Sequence, residues 1–270
     1  MKSCVTISLV PSLKGGPWVF WDDLEQSLAT ASELGFDGVE LFTAEASIGA
    51  PNSLSALLAE YKLELAAVGT GAGKVIKGLT LTSPDPEIRK KSVSFIKEMI
   101  LFGADHGAPT ILGSMQGNSS EKVPREIALK YLSESLEIFG ELADLKGTYF
   151  IYEPLNRYET NLFNHLGTAS TFINNFSTNG VKLLADLFHM NIEEQNLPDS
   201  LSKSAANIGH VHFADSNRKP VGFGHTDMQP IAAALKQINY KGFLSAEAFA
   251  WPDPKTAAQQ TIDSFKKFFY

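Results

Sequence analysis

Along the chain, short apolar runs alternate with longer stretches in which apolar residues return every three or four positions. The short runs, residues 5–10, 36–42, 63–69, 109–113, 148–152, 182–186, 209–215 and 243–247, are rich in β-branched and aromatic side chains. They are too brief for helices and predict eight buried strands. Between them the period predicts helices: from Asp22 or Asp23 to about Gly35, then over about 53–61, 85–107, 124–146, 168–176, 198–206 and 228–238, with a closing helix from Pro254. The third has the clearest start, Asp85-Pro86-Glu87: an acidic cap, a proline at the first helical position and an acid in the first turn. Val93, Ile96, Ile100 and Leu101 then recur at helical spacing. The stretch 70–83, with Gly71, Gly73 and Gly78, is expected to be a loop that covers a site or runs over the surface.

Eight strands alternating with eight helices predict an α/β fold, a closed (β/α)8 TIM barrel rather than an open sheet. No charge block or low-complexity linker interrupts the alternation, so residues 1–270 are expected to form one domain. At 270 residues the chain has the length such a barrel needs, about 250. The net charge of −7 offers no basic footprint for nucleic acid. A single cysteine, Cys4, excludes an internal disulfide and suits a reducing compartment; it reads as a small buried residue of the first strand. The N-terminus makes a poor signal peptide, because Pro11, Lys14 and Gly15 follow its apolar stretch too soon. No run approaches the ~20 apolar residues of a membrane span. A cytoplasmic protein without membrane or nucleic-acid partners is expected.

Four successive strands in the second half end on a side chain that does not belong in a core. Glu153 closes the fifth, Asp186 the sixth and Glu247 the eighth, while the seventh carries His212. The intervals of 33, 26 and 35 residues each match one βα unit. All four groups therefore fall at the C-terminal ends of parallel strands, where barrel active sites lie. A buried carboxylate needs a metal or a partner; for Glu153 the plain alternative is an ion pair with Arg157. Two glutamates, an aspartate and a histidine form a hard ligand set suited to one divalent ion, Mn²⁺ foremost, with Mg²⁺, Co²⁺ and Zn²⁺ also compatible. Such an ion acidifies the proton on the carbon next to a ketone, and two carboxylates on opposite faces of that carbon invert it through an enediolate. A single carboxylate working on one face would instead interconvert an aldose and a ketose.

Around this set, His189, on the loop leaving strand six, and Arg218, after strand seven, are candidates for binding substrate oxygens. Glu159 could orient a sugar hydroxyl or pair with Arg157. His210 shares the inward face of His212 and reads as a core or supporting histidine rather than a ligand. His106, His165 and His225 fall outside the alignment, and the segment 222–227 resembles a flexible lid.

The segments Glu-Pro-Leu-Asn-Arg-Tyr-Glu at 153–159, Ala-Asp-Leu-Phe-His-Met-Asn at 185–191, His-Val-His-Phe-Ala-Asp-Ser-Asn-Arg at 210–218 and Ser-Ala-Glu at 245–247 resemble the xylose-isomerase-like barrel family. Within it they look most like the D-tagatose (D-psicose) 3-epimerase group and 5-keto-L-gluconate epimerase. The resemblance, which extends to residues 78–90, implies a divalent metal on Glu153, Asp186, His212 and Glu247. It also implies Glu153 and Glu247 as acid/base pair, and Glu159, His189 and Arg218 as substrate contacts. The implied assembly is a homodimer or homotetramer, and the implied activity is C3 epimerisation of a ketose or keto-acid sugar, with aldose–ketose or hydroxypyruvate-type isomerisation as the alternative. The strand-four loop, Gly113-Ser-Met-Gln-Gly117, lacks the tryptophan of the free-sugar enzymes, and Lys74 in the third loop could meet a substrate carboxylate, so ketouronates and ketoaldonates stay open. A DNA-repair endonuclease on a related barrel would call for several zinc ions and a basic groove, against the −7 charge and the single ligand set. A catalytically silent binding protein is the remaining reading.

Overall fold

The computed structural model of the chain describes every residue except 22 and 48–50, and for 51–53 the backbone alone. The strands are β1 (Lys2–Ser8), β2 (Gly38–Phe42), β3 (Glu64–Gly69), β4 (Thr110–Leu112), β5 (Phe150–Tyr152), β6 (Val181–Asp186), β7 (Ile208–His212) and β8 (Phe243–Ala246). They pair in parallel in chain order, and β8 returns to β1, with Cys4 opposite Ser245, to close the barrel. Closure leaves no sheet edge to protect. The helices are α1 (Leu24–Leu34), α2 (Pro51–Tyr61), α3 (Ala72–Lys77), α4 (Pro86–Asp105), α5 (Arg125–Leu145), α6 (Leu166–Ile173), α7 (Leu187–Glu193), α8 (Leu197–Lys203), α9 (Met228–Gln237) and α10 (Pro254–Phe269).

Local chemistry explains where several of them start and stop. Asp23 accepts from the Gln26 amide to cap α1, and Gly35, at φ 84°, ends it in the left-handed conformation that glycine adopts freely. Asp22, the other cap considered, lies outside the described residues. Asp85 caps α4 through the Glu87 amide, with Pro86 in the first turn. Asp253 does the same for α10 through Thr256.

Two short helices were not legible as such. The stretch read as a loop at 70–83 contains α3, whose Gly73 lets the helix press against Met115 and Phe95; a Cβ there would stand 2.7 Å from the Phe95 ring. His189, expected on a loop, rides on α7, a helix nucleated by Asp186 itself. That carboxylate accepts from the Phe188 and His189 amides at 2.7 and 3.1 Å. Both helices follow strand ends at the mouth of the barrel. Neither is long enough to show a period in sequence.

The larger core fills the space between barrel and helices. Leu41, Ile96, Leu136, Phe139, Phe150, Leu183 and Phe265 are among its fully buried members, and the Phe139 and Phe150 rings lie 4.9 Å apart. Each such side chain contributes roughly 1.5–3 kcal/mol by leaving water. Inside the barrel a small apolar cluster of Ala67, Ile111, Ile151 and Leu184 forms a separate plug. Polar groups occupy the barrel interior beside it: Thr6, Glu40, His210, His212 and Ser245, all buried. No helix among the described residues is long and apolar enough to cross a membrane.

Candidate active site

Asp186 is the last residue of β6 and His212 the last of β7, while Glu153 and Glu247 directly follow β5 and β8. Because alternate residues of a strand share a face, these side chains turn into the same end of the barrel. They converge on Nδ1 of His212, which stands 3.1 Å from Asp186 Oδ2, 3.6 Å from Glu153 Oε1 and 3.7 Å from Glu247 Oε2. Glu153, Asp186 and His212 form a compact buried set with metal-ligand spacing; Glu247 approaches the same nitrogen but is also drawn toward Arg218. Above them opens a cavity of about 220 Å³ lined by Glu153, Glu247, Glu159, Arg218 and His212, with Trp18, Phe42 and Val75 on its apolar side.

The electrostatics are those of charges removed from water. Burial pushes the Glu153 carboxyl well above the usual range, the nearby Glu247 and Asp186 reinforcing and the His212 charge opposing. For Asp186 burial acts in the same sense but is overcome by His189, His212 and a hydrogen bond to the latter, so its carboxyl lies below the ordinary value. Burial lowers the His189 imidazole. For His212 the burial penalty is outweighed by Glu40, Glu247 and its hydrogen bonds, and the ring is held well above its ordinary value. Glu153 Oε1 is buried without a hydrogen-bond partner among the described residues. An acceptor orphaned in this way, beside a second carboxylate and an imidazole, suits a cation.

The surroundings correct several sequence-based pairings. Arg157 does not reach Glu153 or Glu159. Its Nε and Nη2 each donate at 2.9 Å to the buried Glu193, so the ion-pair alternative for Glu153 falls away. Glu159 instead meets Arg218, Nη1 at 3.4 Å, and Arg218 also holds Glu247. Arg218 thus neutralises the protein's own carboxylates. Its backbone sits at φ 58°, a conformation few non-glycine residues adopt. His189 Nδ1 faces Asn156 Nδ2 at 2.8 Å, which aims Nε2 toward Glu153 and Asp186, 3.8 Å from each.

Lys74 lies on α3 and does not line the cavity; Val75 does. The segment 222–227 is no free lid. Asp215 fastens it by accepting from the amides of Gly222 at 2.8 Å and Thr226 at 3.0 Å. His106, His165 and His225 pair with Ser55, Glu194 and Ser216 away from the set.

Two residues carry more of the site than the sequence suggested. Gln116, fully buried in the strand-four loop, donates to the carbonyls of Gly113 and Glu153 at 3.0 and 2.9 Å and accepts from Tyr152 Oη at 2.7 Å. It fixes the backbone from which Glu153 projects. Glu40 on β2 stands at the cavity floor and reaches across to β7, 2.8 Å from His210 Nε2 and 3.2 Å from His212 Nε2. The signal was present, since a charged residue in the run Phe36-Asp-Gly-Val-Glu-Leu-Phe42 needs a partner, but nothing local says who that partner is.

With the fold and this constellation established, the sequence profile of the family described as xylose isomerase-like TIM barrel matches residues 28–268. The chain belongs to that family. Among characterised relatives, a D-psicose 3-epimerase of Enterocloster bolteae is 29% identical over 238 residues, covering 84% of this chain and 77% of that protein. A 3-dehydro-D-guloside 4-epimerase of Escherichia coli is 36% identical over 134 residues, 49% of this chain and 51% of the relative. A crystal structure of a D-psicose 3-epimerase in the presence of D-fructose superposes with a TM-score of 0.84 at 21% identity, covering 99% of both chains. That likeness speaks to the shared barrel.

Proposed function

We propose that this family member is a divalent-metal-dependent sugar epimerase that inverts the carbon next to the ketone of a neutral keto sugar, C3 of a 2-ketose, with Glu153 and Glu247 moving the proton. The observation that carries this reading is that two carboxylates, projecting from β5 and β8, both line one cavity and approach the same His212 nitrogen at 3.6 and 3.7 Å. Glu153, Asp186, His212 and Glu247 would hold the ion, and three carboxylates with one imidazole suit Mn²⁺, Mg²⁺ or Co²⁺. When bound, the ion would polarise the substrate carbonyl and offset negative charge developing on its oxygens.

The remaining work falls to this chain's own side chains. In one direction Glu153 removes the proton from one face of the carbon and Glu247 returns a proton to the other; in the reverse direction their roles exchange. Such positioned acid/base groups contribute roughly 10²–10⁴-fold each. Burial makes Glu153 a strong base once ionised, because its charge is poorly solvated. Arg218 steadies Glu247, and Glu159 is available on the same wall to accept a hydrogen bond from a sugar hydroxyl.

A neutral substrate fits the cavity better than a keto acid. Arg218 is the one lysine or arginine among its described lining residues and is engaged by Glu247 and Glu159, while Lys74 does not line it. The relatives named above include a 3-epimerase and a 4-epimerase. Inverting C3 of a 2-ketose or C4 of a 3-keto sugar asks for the same chemistry, since each carbon adjoins the ketone, so both belong in one assay panel. With the chelator-treated, metal-reloaded protein in D₂O, deuterium should appear at the inverted carbon of the product. Label at C1 or C2 with aldose formation, and no inverted product, would replace this reading by an aldose–ketose isomerase.

A further inference from the structure

The mechanism above makes no use of Glu40, a buried charge beside the centre. Glu40 is 4% exposed in the barrel interior, where an ionised carboxylate is expensive unless it is fully engaged. It is engaged at both ends: Oε2 lies 2.8 Å from His210 Nε2 and Oε1 lies 3.2 Å from His212 Nε2. The two imidazoles, alternate residues on the inward face of β7, stand with centroids 5.5 Å apart and planes at 82°. Their Nε2 atoms therefore reach one carboxylate from different directions.

Resting on the reading of Glu153, Asp186, His212 and Glu247 as a cation centre, we propose that Glu40 is its positioning residue. By bridging His210 and His212 it holds a hydrogen on His212 Nε2, so that Nδ1, the nitrogen facing the three carboxylates, is the one left to exchange its hydrogen for a bound ion. A carboxylate only accepts hydrogen bonds, so each Nε2 facing it must donate. A histidine that ligates a metal does so as the neutral ring, which carries a single N–H. With one hydrogen committed to Glu40 Oε1, the ion would take the place of the other, which Nδ1 directs at Asp186 Oδ2 across 3.1 Å, and would find the lone pair there. His210 occupies the other oxygen and stops the carboxylate from rotating away. Partners of this kind, behind a ligating histidine, typically carry 10–100-fold in metal affinity.

Glu40→Gln keeps the shape but lets the side-chain amide donate to His212 Nε2, which would send the ring hydrogen to Nδ1. The test is calorimetric titration of Co²⁺ into the metal-stripped parent and Glu40→Gln proteins, with the visible Co²⁺ spectrum as a signature of the ligand field. The parent is expected to take one ion per chain. Glu40→Gln is expected to bind at least about tenfold more weakly with a shifted spectrum, while its urea unfolding midpoint stays close to the parent's. Equal affinity and an unchanged spectrum would overturn the positioning role and leave the epimerase reading standing. Two ions in the parent, one of them lost in Glu40→Gln, would make Glu40 a ligand and overturn it as well. A parent that binds no divalent ion would remove both proposals. Nitrogen-15 histidine spectra of the Mg²⁺-loaded parent, which need no variant, should show His212 with its hydrogen on Nε2; the opposite tautomer would end the idea even if Glu40→Gln failed to fold.

Discussion

Glu153 Oε1 and His189 Nε2 stand 3.8 Å apart in full burial, and neither has a hydrogen-bond partner among the described residues. Two unsatisfied polar atoms facing each other across a gap too wide for a hydrogen bond cost stability, of the order of 1–3 kcal/mol each, unless something between or beside them restores their contacts. A divalent ion on the carboxylate side would do so. Adding Mn²⁺ at a hundred times its dissociation constant should stabilise the fold by about 2.7 kcal/mol. For a chain of this size that is a rise in melting temperature of roughly 5 °C or more, reversed by chelator. A scanning-calorimetry trace indifferent to both additions would contradict a cation at this centre.

Gly113 offers a way to disturb Glu153 without touching it. A Cβ at this position would lie 2.5 Å from Glu153 Oε2. Gly113→Ala should therefore displace the carboxylate and, with Glu153 in the proton-moving role proposed above, lower epimerase turnover by about 10²-fold or more, since misplacing such a group by about an ångström has that effect. Turnover equal to the parent would show that Glu153 has more freedom than its burial implies.

Arg218 touches Glu247 and Glu159 and stacks over the Phe188 ring, its guanidinium carbon 4.9 Å from the centroid. A lysine cannot reproduce a planar group that serves two carboxylates and a ring at once. Arg218→Lys is expected to lower kcat/KM by about 10–100-fold, matching the loss of one charge-assisted hydrogen bond. Steady-state kinetics on a substrate of the wild-type protein decide this, and a change below threefold would mean that Glu247 is positioned without it.

Asp215 governs the loop that carries Arg218. Burial raises its carboxyl, but amide hydrogen bonds from Thr226, Gly222 and Ser216 outweigh that and hold it below the ordinary value. A carboxyl with a lowered folded-state pKa stabilises fully above its unfolded value, about 4, and loses that contribution as pH falls through the lower folded value. Asp215→Asn should cost roughly 1–3 kcal/mol at pH 7. The gap between variant and parent should narrow below about pH 4, as measured by urea titrations at a series of pH values. A gap that stays constant with pH would show that the charge is not what holds the loop.

Much of the barrel was legible because its information is local. Eight short apolar runs bounded by glycine and proline, with a capped amphipathic stretch between each pair, leave little choice of topology, and the spacing of Glu153, Asp186, His212 and Glu247 repeats with the βα unit itself. What misled were inferences from nearness in sequence. Arg157 stands four residues from Glu153 yet bonds Glu193 on α7, and Lys74 lies in the right stretch yet does not line the cavity. The lid suggested by Gly222 and Gly224 is tied down by an aspartate seven residues before the first of them.

By itself the sequence determined the order of elements and which strand ends carry acids, because hydrophobic period and residue type act within a few residues of chain. The tertiary structure alone decided that Glu40 meets two histidines 170 and 172 residues away, that Arg218 locks Glu247, and that Asn156 aims His189. Those partnerships depend on which side chains face one another across a closed barrel. Only closure, with the strand register it imposes, brings the two halves of the chain within hydrogen-bonding distance.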